Sequence, residues 1–183
     1  MRALLRAFRR DERGLAGVEF LIILPFMLLL ILGTVEVVRY AYLHMKLQNV
    51  AANVADIISR PDQVAASDLS NLFTAAPVMM RPFQAGARMR LIVSGVVVEN
   101  ENDPPEIAWQ ASGGGTLGAA SEVGSAGGVA DVPEGLVYFG GEALIVAEIV
   151  YNYEPLFMRF AGGGFQRKMA YFRPRRGTLA AIN

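Results

Sequence analysis

Apolar residues fall along this chain in three rhythms, and each predicts a different element. Over residues 15–38 the run LAGVEFLIILPFMLLLILGTVEVV is apolar on nearly every side. As a helix its roughly 24 residues reach about 36 Å, enough to cross a hydrocarbon core of about 30 Å with some tilt. The core helix of a soluble protein would keep a polar face, and residues 21–35 have none. Farther on, Tyr40, Leu43, Leu47, Val50, Val54 and Ile57 recur at alternating steps of three and four, a heptad-like seam on a continuing helix. Ala51, Ala52 and Ala55 favour helix there. Arg60-Pro61 stops it, because the residue before proline avoids helical geometry. One helix over residues 15–59 is therefore predicted. Its outer half has two open uses, packing on the chain's own domain or offering a partner-helix seam through Leu43, Leu47, Val50, Val54 and Ile57. With about two heptads, a self-sufficient coiled coil is not expected.

The third rhythm is shorter. Residues 67–79 predict a second helix with Ser67 as N-cap and Leu69, Leu72 and Phe73 on one face. β-Branched and aromatic residues then predict strands over 89–99, 106–110, 143–153 and 165–173. Asn102-Asp103-Pro104-Pro105 supplies turn chemistry between the first two. Pro155 and Gly162-Gly163-Gly164 connect the last two. The segment over 112–128 is rich in glycine and serine and reads as a flexible loop. The expected fold class is α+β: a long N-terminal transmembrane helix continues into a periplasmic helix, followed by a small antiparallel β-sheet domain with the helix on one face. The expected divisions are a basic cytoplasmic leader over 1–14, the span over 15–38, its extension over 39–60 and the domain over 61–183.

Charge gives the span a direction. Net charge is zero, yet Arg2, Arg6, Arg9, Arg10 and Arg13 precede the apolar run, and only Arg39 and Lys46 follow closely. The positive-inside rule leaves the N-terminus in the cytoplasm and the C-terminal domain outside. The run is too long for a cleaved secretory signal, and no small-residue cleavage site follows it. The chain has no cysteine, which excludes disulfides, thiolate metal sites and thiol nucleophiles.

Two carboxylates interrupt the apolar run, and a carboxylate near the membrane interior costs a few kcal/mol unless it has a partner or a task. Glu36 has Arg39 at i+3 and Tyr40 at i+4, which predicts an interfacial ion pair beside an aromatic anchor. Glu19, near the inner end, reads by itself as a side chain snorkelling to the headgroups. Pro25 removes one helical hydrogen bond, a gap that membrane helices tolerate when a neighbour relieves it. Gly33 and Thr34 form a small patch suited to close helix contact.

The stretch Arg13-Gly14-Leu15-Ala16-Gly17-Val18-Glu19-Phe20 resembles the processing site of type IV prepilin-like proteins. It is most similar to the TadE-like minor pilins, or pseudopilins, of tight-adherence (Tad, type IVc) pili. Gly33, Glu36 and Arg39 resemble the end of that family's helix. EALIVAEIVYNYEPLF over 142–157 and Arg173-Pro174-Arg175 resemble its C-terminal portion. The short length speaks against the larger TadG-like members. The resemblance implies cleavage by prepilin peptidase after Gly14, with Leu15 as the new N-terminus. Glu19 and Phe20 then become the assembly and registry residues, the Glu19 carboxylate neutralising a neighbour's new α-ammonium. Such a pair sets register more than it adds stability. The implied partners are inner-membrane lipid, the peptidase, other pilins or TadE-, TadF- or TadG-type proteins, and the pilus assembly platform. The alternative is an unprocessed single-pass scaffold subunit of an envelope complex.

Catalytic chemistry finds no constellation to rest on. His44, the sole histidine, has no acid or cysteine at ligand spacing and predicts a surface or interface residue. Gly113-Gly114-Gly115-Thr116 lacks the lysine and spacing of a phosphate loop. Glu99, Glu101, Asp103 and Glu106 read as solvated charges around a turn, and Met79, Met80 and Met89 as core filler. Arg167, Lys168, Arg173, Arg175 and Arg176 predict an interaction or solvent face in place of a nucleic-acid site. The expectation is a non-enzyme without cofactor or metal, of structural role.

Overall fold

The structure is a computed structural model and describes residues 15–61, 63–100, 103–133, 135–136, 140–157, 163–175 and 182. One helix, α1 (Leu15–Ile58), runs unbroken through Pro25. A second, α2 (Ala66–Met79), follows. A 3₁₀ turn (Gly86–Arg88) leads into four strands: β1 (Met89–Val97), β2 (Glu106–Gly113), β3 (Ala143–Tyr153) and β4 (Gly164–Phe172). The strands form one antiparallel sheet in the order β2-β1-β3-β4. The fold is α+β, with one helix long and apolar enough to cross a membrane.

α1 has two environments. Up to Val35 most of its large apolar side chains, such as Phe20, Leu21, Phe26 and Leu30, are exposed. From Leu43 onward it lies across the sheet. Leu43, Leu47, Val50 and Val54 are buried with Leu91 and Val93 of β1 and Ile145, Ala147 and Ile149 of β3. The seam is thus used within the chain, and the partner-helix reading of it does not hold. Its last member also changes: Ile57 is 44% exposed, whereas Ile58 is 1% exposed and completes the core.

α2 covers the flank of the same core through Leu69, Leu72 and Ala76. Its N-cap is Ala65, with no side-chain cap bond, so Ser67 lies inside the first turn and does not cap it. Lys46 Nζ donates to the Met79 carbonyl, 3.4 Å away, bringing a cation to the carbonyl end of α2 where the helix dipole favours it. Met80 and Met89 are fully buried within the apolar core. Gly95 opens room in β1 for the Trp109 indole of β2, which a Cβ at that position would strike.

The connection between β2 and β3 must pass β1, and it does so over the sheet's other face. Val123 and Ala130 from this connection pack with Val96, Ile107, Leu144 and Val146 in a second apolar cluster. Leu117 is buried as well, and Asp131 N–H bonds the Val123 carbonyl at 2.8 Å. The segment expected as a flexible loop over 112–128 is therefore a pinned cover, because a few apolar anchors and backbone bonds tie its glycines down.

Candidate functional site

Where α1 changes environment, its own carboxylate fastens the domain. Glu36 is 7% exposed although it sits on an otherwise bare stretch of helix. Its Oε1 accepts the hydroxyl proton of Tyr153, from the end of β3. Its Oε2 accepts the backbone N–H groups of Leu156 at 2.9 Å and Phe157 at 3.0 Å. Three donors, one from the end of β3 and two from the turn after it, thus meet one carboxylate, which is how a buried charge becomes tolerable. The Tyr153 phenol is pushed up to about 12, by burial first and by the Glu36 carboxylate second.

The predicted Glu36–Arg39 ion pair is not formed. Arg39 turns away and places its guanidinium 5.6 Å from the centroid of the Phe83 ring. Tyr40 is likewise more than an interface anchor. Its hydroxyl donates to Gln166 of β4 at 3.0 Å, and its ring packs on His44 and Tyr153 with centroids 4.4 and 5.4 Å apart. His44 thus lies inside this aromatic layer. Burial lowers its pKa, Lys168 adds to that, and a hydrogen bond to Gln166 opposes it. Leu156 and Phe157 give their N–H groups to Glu36 while leaving their side chains 53% and 51% exposed.

The remaining predicted site residues lie along the bare stretch of α1. Gly14 is outside the described residues, and Leu15 is described only as the first residue of the helix. Glu19 and Phe20 are exposed, and nothing among the described residues pairs with Glu19. Pro25 stays within the helix, and Gly33 is half-buried. Thr34 turns its hydroxyl back to the Leu30 carbonyl at 2.7 Å. The structure therefore gathers Glu36, Arg39 and Tyr40 at one level and leaves Leu15, Glu19 and Phe20 at the far end of α1.

Sequence reasoning missed Tyr153 and the two N–H groups, whose partner stands more than a hundred residues away. It also missed Glu148, a fully buried carboxylate on the face of β3 opposite α1. Arg167 of β4 pairs with Glu148, Ser121 donates its hydroxyl, and the Glu122 N–H donates at 3.0 Å. The signal was present, since Glu148 interrupts the apolar run LIVAEIVY. At the other end of the sheet Asp56 binds both Arg60 and Arg175, and the Arg175 N–H reaches the Ser59 carbonyl at 2.9 Å, closing the C-terminal segment onto the end of α1.

Residues 14–56 match the family model for TadE-like protein. The match starts at Gly14 and runs through the bare stretch, the Glu36 joint and nearly all of the sheet-bound half of α1. The likeness to TadE-like proteins thus covers this helix region. No curated protein and no solved structure matches the chain.

Proposed function

Taking residues 14–56 as a TadE-like region, we propose that this protein is a minor pilin of a Tad pilus, anchored in the inner membrane by α1 with its domain in the periplasm. It is made with a basic leader, trimmed by prepilin peptidase after Gly14, and contributes structurally to pilus assembly or adhesion. The observation that carries this reading is the division of one family-matched helix into a bare apolar stretch and a domain-bound stretch. A helix of this kind can be stored in lipid and passed into a bundle of other helices without entering water. Glu19, unpaired among the described residues, is free to meet a neighbour's new α-ammonium. Partner pilins and the assembly platform supply the remaining contacts, and the work of assembly comes from them, since the chain carries no phosphate-loop motif.

The test is the intact mass of membrane-purified protein from cells with and without the peptidase. A mass beginning at Leu15 only when the peptidase is present supports the reading. Retention of Met1 in both would leave the unprocessed scaffold in its place. A structural role further requires that His44→Ala, which removes the only imidazole, leave pilus formation intact; loss of pilus formation with the domain still folded would point to chemistry.

A further inference from the structure

Beside the Glu36 joint, two hollows adjoin on the same side of α1 and share Arg39 and Pro82. One is a groove of about 540 Å³, walled by Val35, Val38, Tyr42 and Phe83 and almost wholly apolar. The other, of about 380 Å³, is polar and is walled by Gln84, Arg88, Tyr151 and Glu154. Both fall in the size range of ligand sites, roughly 300–1,000 Å³. Together they form one channel, greasy at one end and hydrogen-bonding at the other.

Their depth is set by the helix. From Leu15 to Val35 the rise is about 30 Å, the thickness of a hydrocarbon core. The apolar groove therefore opens at the edge of the core and the polar hollow at headgroup level. Among the described residues Arg39 forms no ion pair. Arg88 pairs with Glu154 at 2.5 Å. Arg39, Arg88 and Glu154 together carry one net positive charge, the complement of a phosphodiester. The Tyr151 hydroxyl feels both guanidinium groups, though burial still raises its pKa.

We propose that this channel holds one glycerophospholipid from the surrounding bilayer, an acyl chain lying on Val35, Val38 and Phe83 and its phosphate at Arg39 and Arg88. The site rests on the membrane-anchored reading of α1. The competing occupant is the span of a second copy. At this depth such a helix brings Glu36, whose oxygens already take three donors, and so no free anion for the two arginines. A phospholipid brings both the chain and the charge.

The test uses the full chain, reconstituted in nanodiscs of phosphatidylethanolamine and phosphatidylglycerol, transferred to mild detergent and weighed by native mass spectrometry. One retained phospholipid per chain is expected. Arg39→Gln should cut the retained fraction about tenfold, the loss of roughly one charge-assisted hydrogen bond. Val38→Trp, which fills the groove and leaves the charges alone, should cut it too. Arg60→Gln, at the far end of α1, should not. Unchanged Trp109 emission shows that each variant is folded. Equal retention in Arg39→Gln and wild type, or a Val38→Cys chain that crosslinks to a second copy with no lipid retained, overturns the site. Release of wild type from membranes by alkaline carbonate would overturn the anchored reading and the site together. Firm membrane retention without a lipid adduct would overturn the site alone.

Discussion

The two halves of α1 belong to one unbroken helix and end in opposite surroundings. Residues 18–35 are almost continuously apolar, with Glu19 the one charge, whereas residues 43–58 mix leucine, isoleucine, valine and alanine with His44, Lys46, Gln48, Asn49, Asn53 and Asp56. Composition and arrangement both separate them. The inner half carries apolar side chains all round and finds no protein to cover them; the outer half carries a stripe and finds a sheet. A helix apolar all round calls for lipid, whereas a striped one calls for a single neighbour. Glu36 marks the change between them, and its three donors fasten the domain at the edge of the bare stretch.

The sharpest way to break this contrast is to cut the same side chain from each half. Leu47 is fully buried in the main core. Leu47→Ala should lower domain stability by about 2–5 kcal/mol, through lost burial and the cavity left behind. Leu29→Ala removes the same atoms from the bare half and should stay within about 0.5 kcal/mol. Thermal unfolding of the full chain in detergent, followed by the emission of Trp109, reads both. The chain has a single tryptophan, and it sits in the sheet. Equal losses at the two positions would erase the distinction.

A smaller effect is expected at the joint itself. Glu36→Ala leaves the Tyr153 hydroxyl and the Leu156 and Phe157 N–H groups without their acceptor, at a cost of about 3 kcal/mol. Tyr153→Phe removes one donor and should cost about 1 kcal/mol. Hydrogen exchange at the amides of Leu156 and Phe157 should quicken in Glu36→Ala while amides at the centre of β3 stay protected. If those two amides exchange as slowly in the variant as in wild type, the carboxylate is not what holds the domain to the helix.

Much of this was legible in the sequence, and each failure has its own physical cause. The span, the helix length and the strands followed from local rhythm, and local rhythm survived folding. The end of the seam shows where it misled. Leu43, Leu47, Val50, Val54 and Ile57 average about 3.5 residues per turn, the period of a coiled coil. Replacing Ile57 with Ile58 brings the average close to the 3.6 or more of a straight helix lying on a sheet. That last isoleucine distinguishes the two uses of the seam, and periodicity over so short a stretch could not choose between them. Glu36 failed differently. Local rules offered Arg39 at i+3, but the true partners come from the end of β3 and the turn after it, and nothing in a single sequence joins them. The glycine- and serine-rich cover failed because composition counts anchors without weighing them, and a few buried apolar side chains were enough to pin it.

The gentlest probe is pH, applied to the layer that joins the outer half of α1 to β4. Burial beside Tyr40, together with the charge of Lys168, holds the His44 imidazole below its ordinary 6.5, and its Nε2 is buried without a hydrogen-bond partner. The folded state therefore binds a proton less readily than the unfolded chain. Stability from this group is fully present above pH 6.5 and is lost as pH falls through the lower, folded value. Asp56 acts in a separate window. Its hydrogen bond from Arg60 holds it below its ordinary 3.8, so its contribution persists above that pH and fades only in stronger acid. A decline in the unfolding midpoint between about pH 7 and 5 is thus expected to follow His44. His44→Gln should flatten the decline, while Asp56→Asn should leave it in place and act only at lower pH. A decline of the same size in His44→Gln would show that the imidazole is not held neutral against the sheet. The bare half of α1 has no described histidine, and its membrane extraction should not change over the same range.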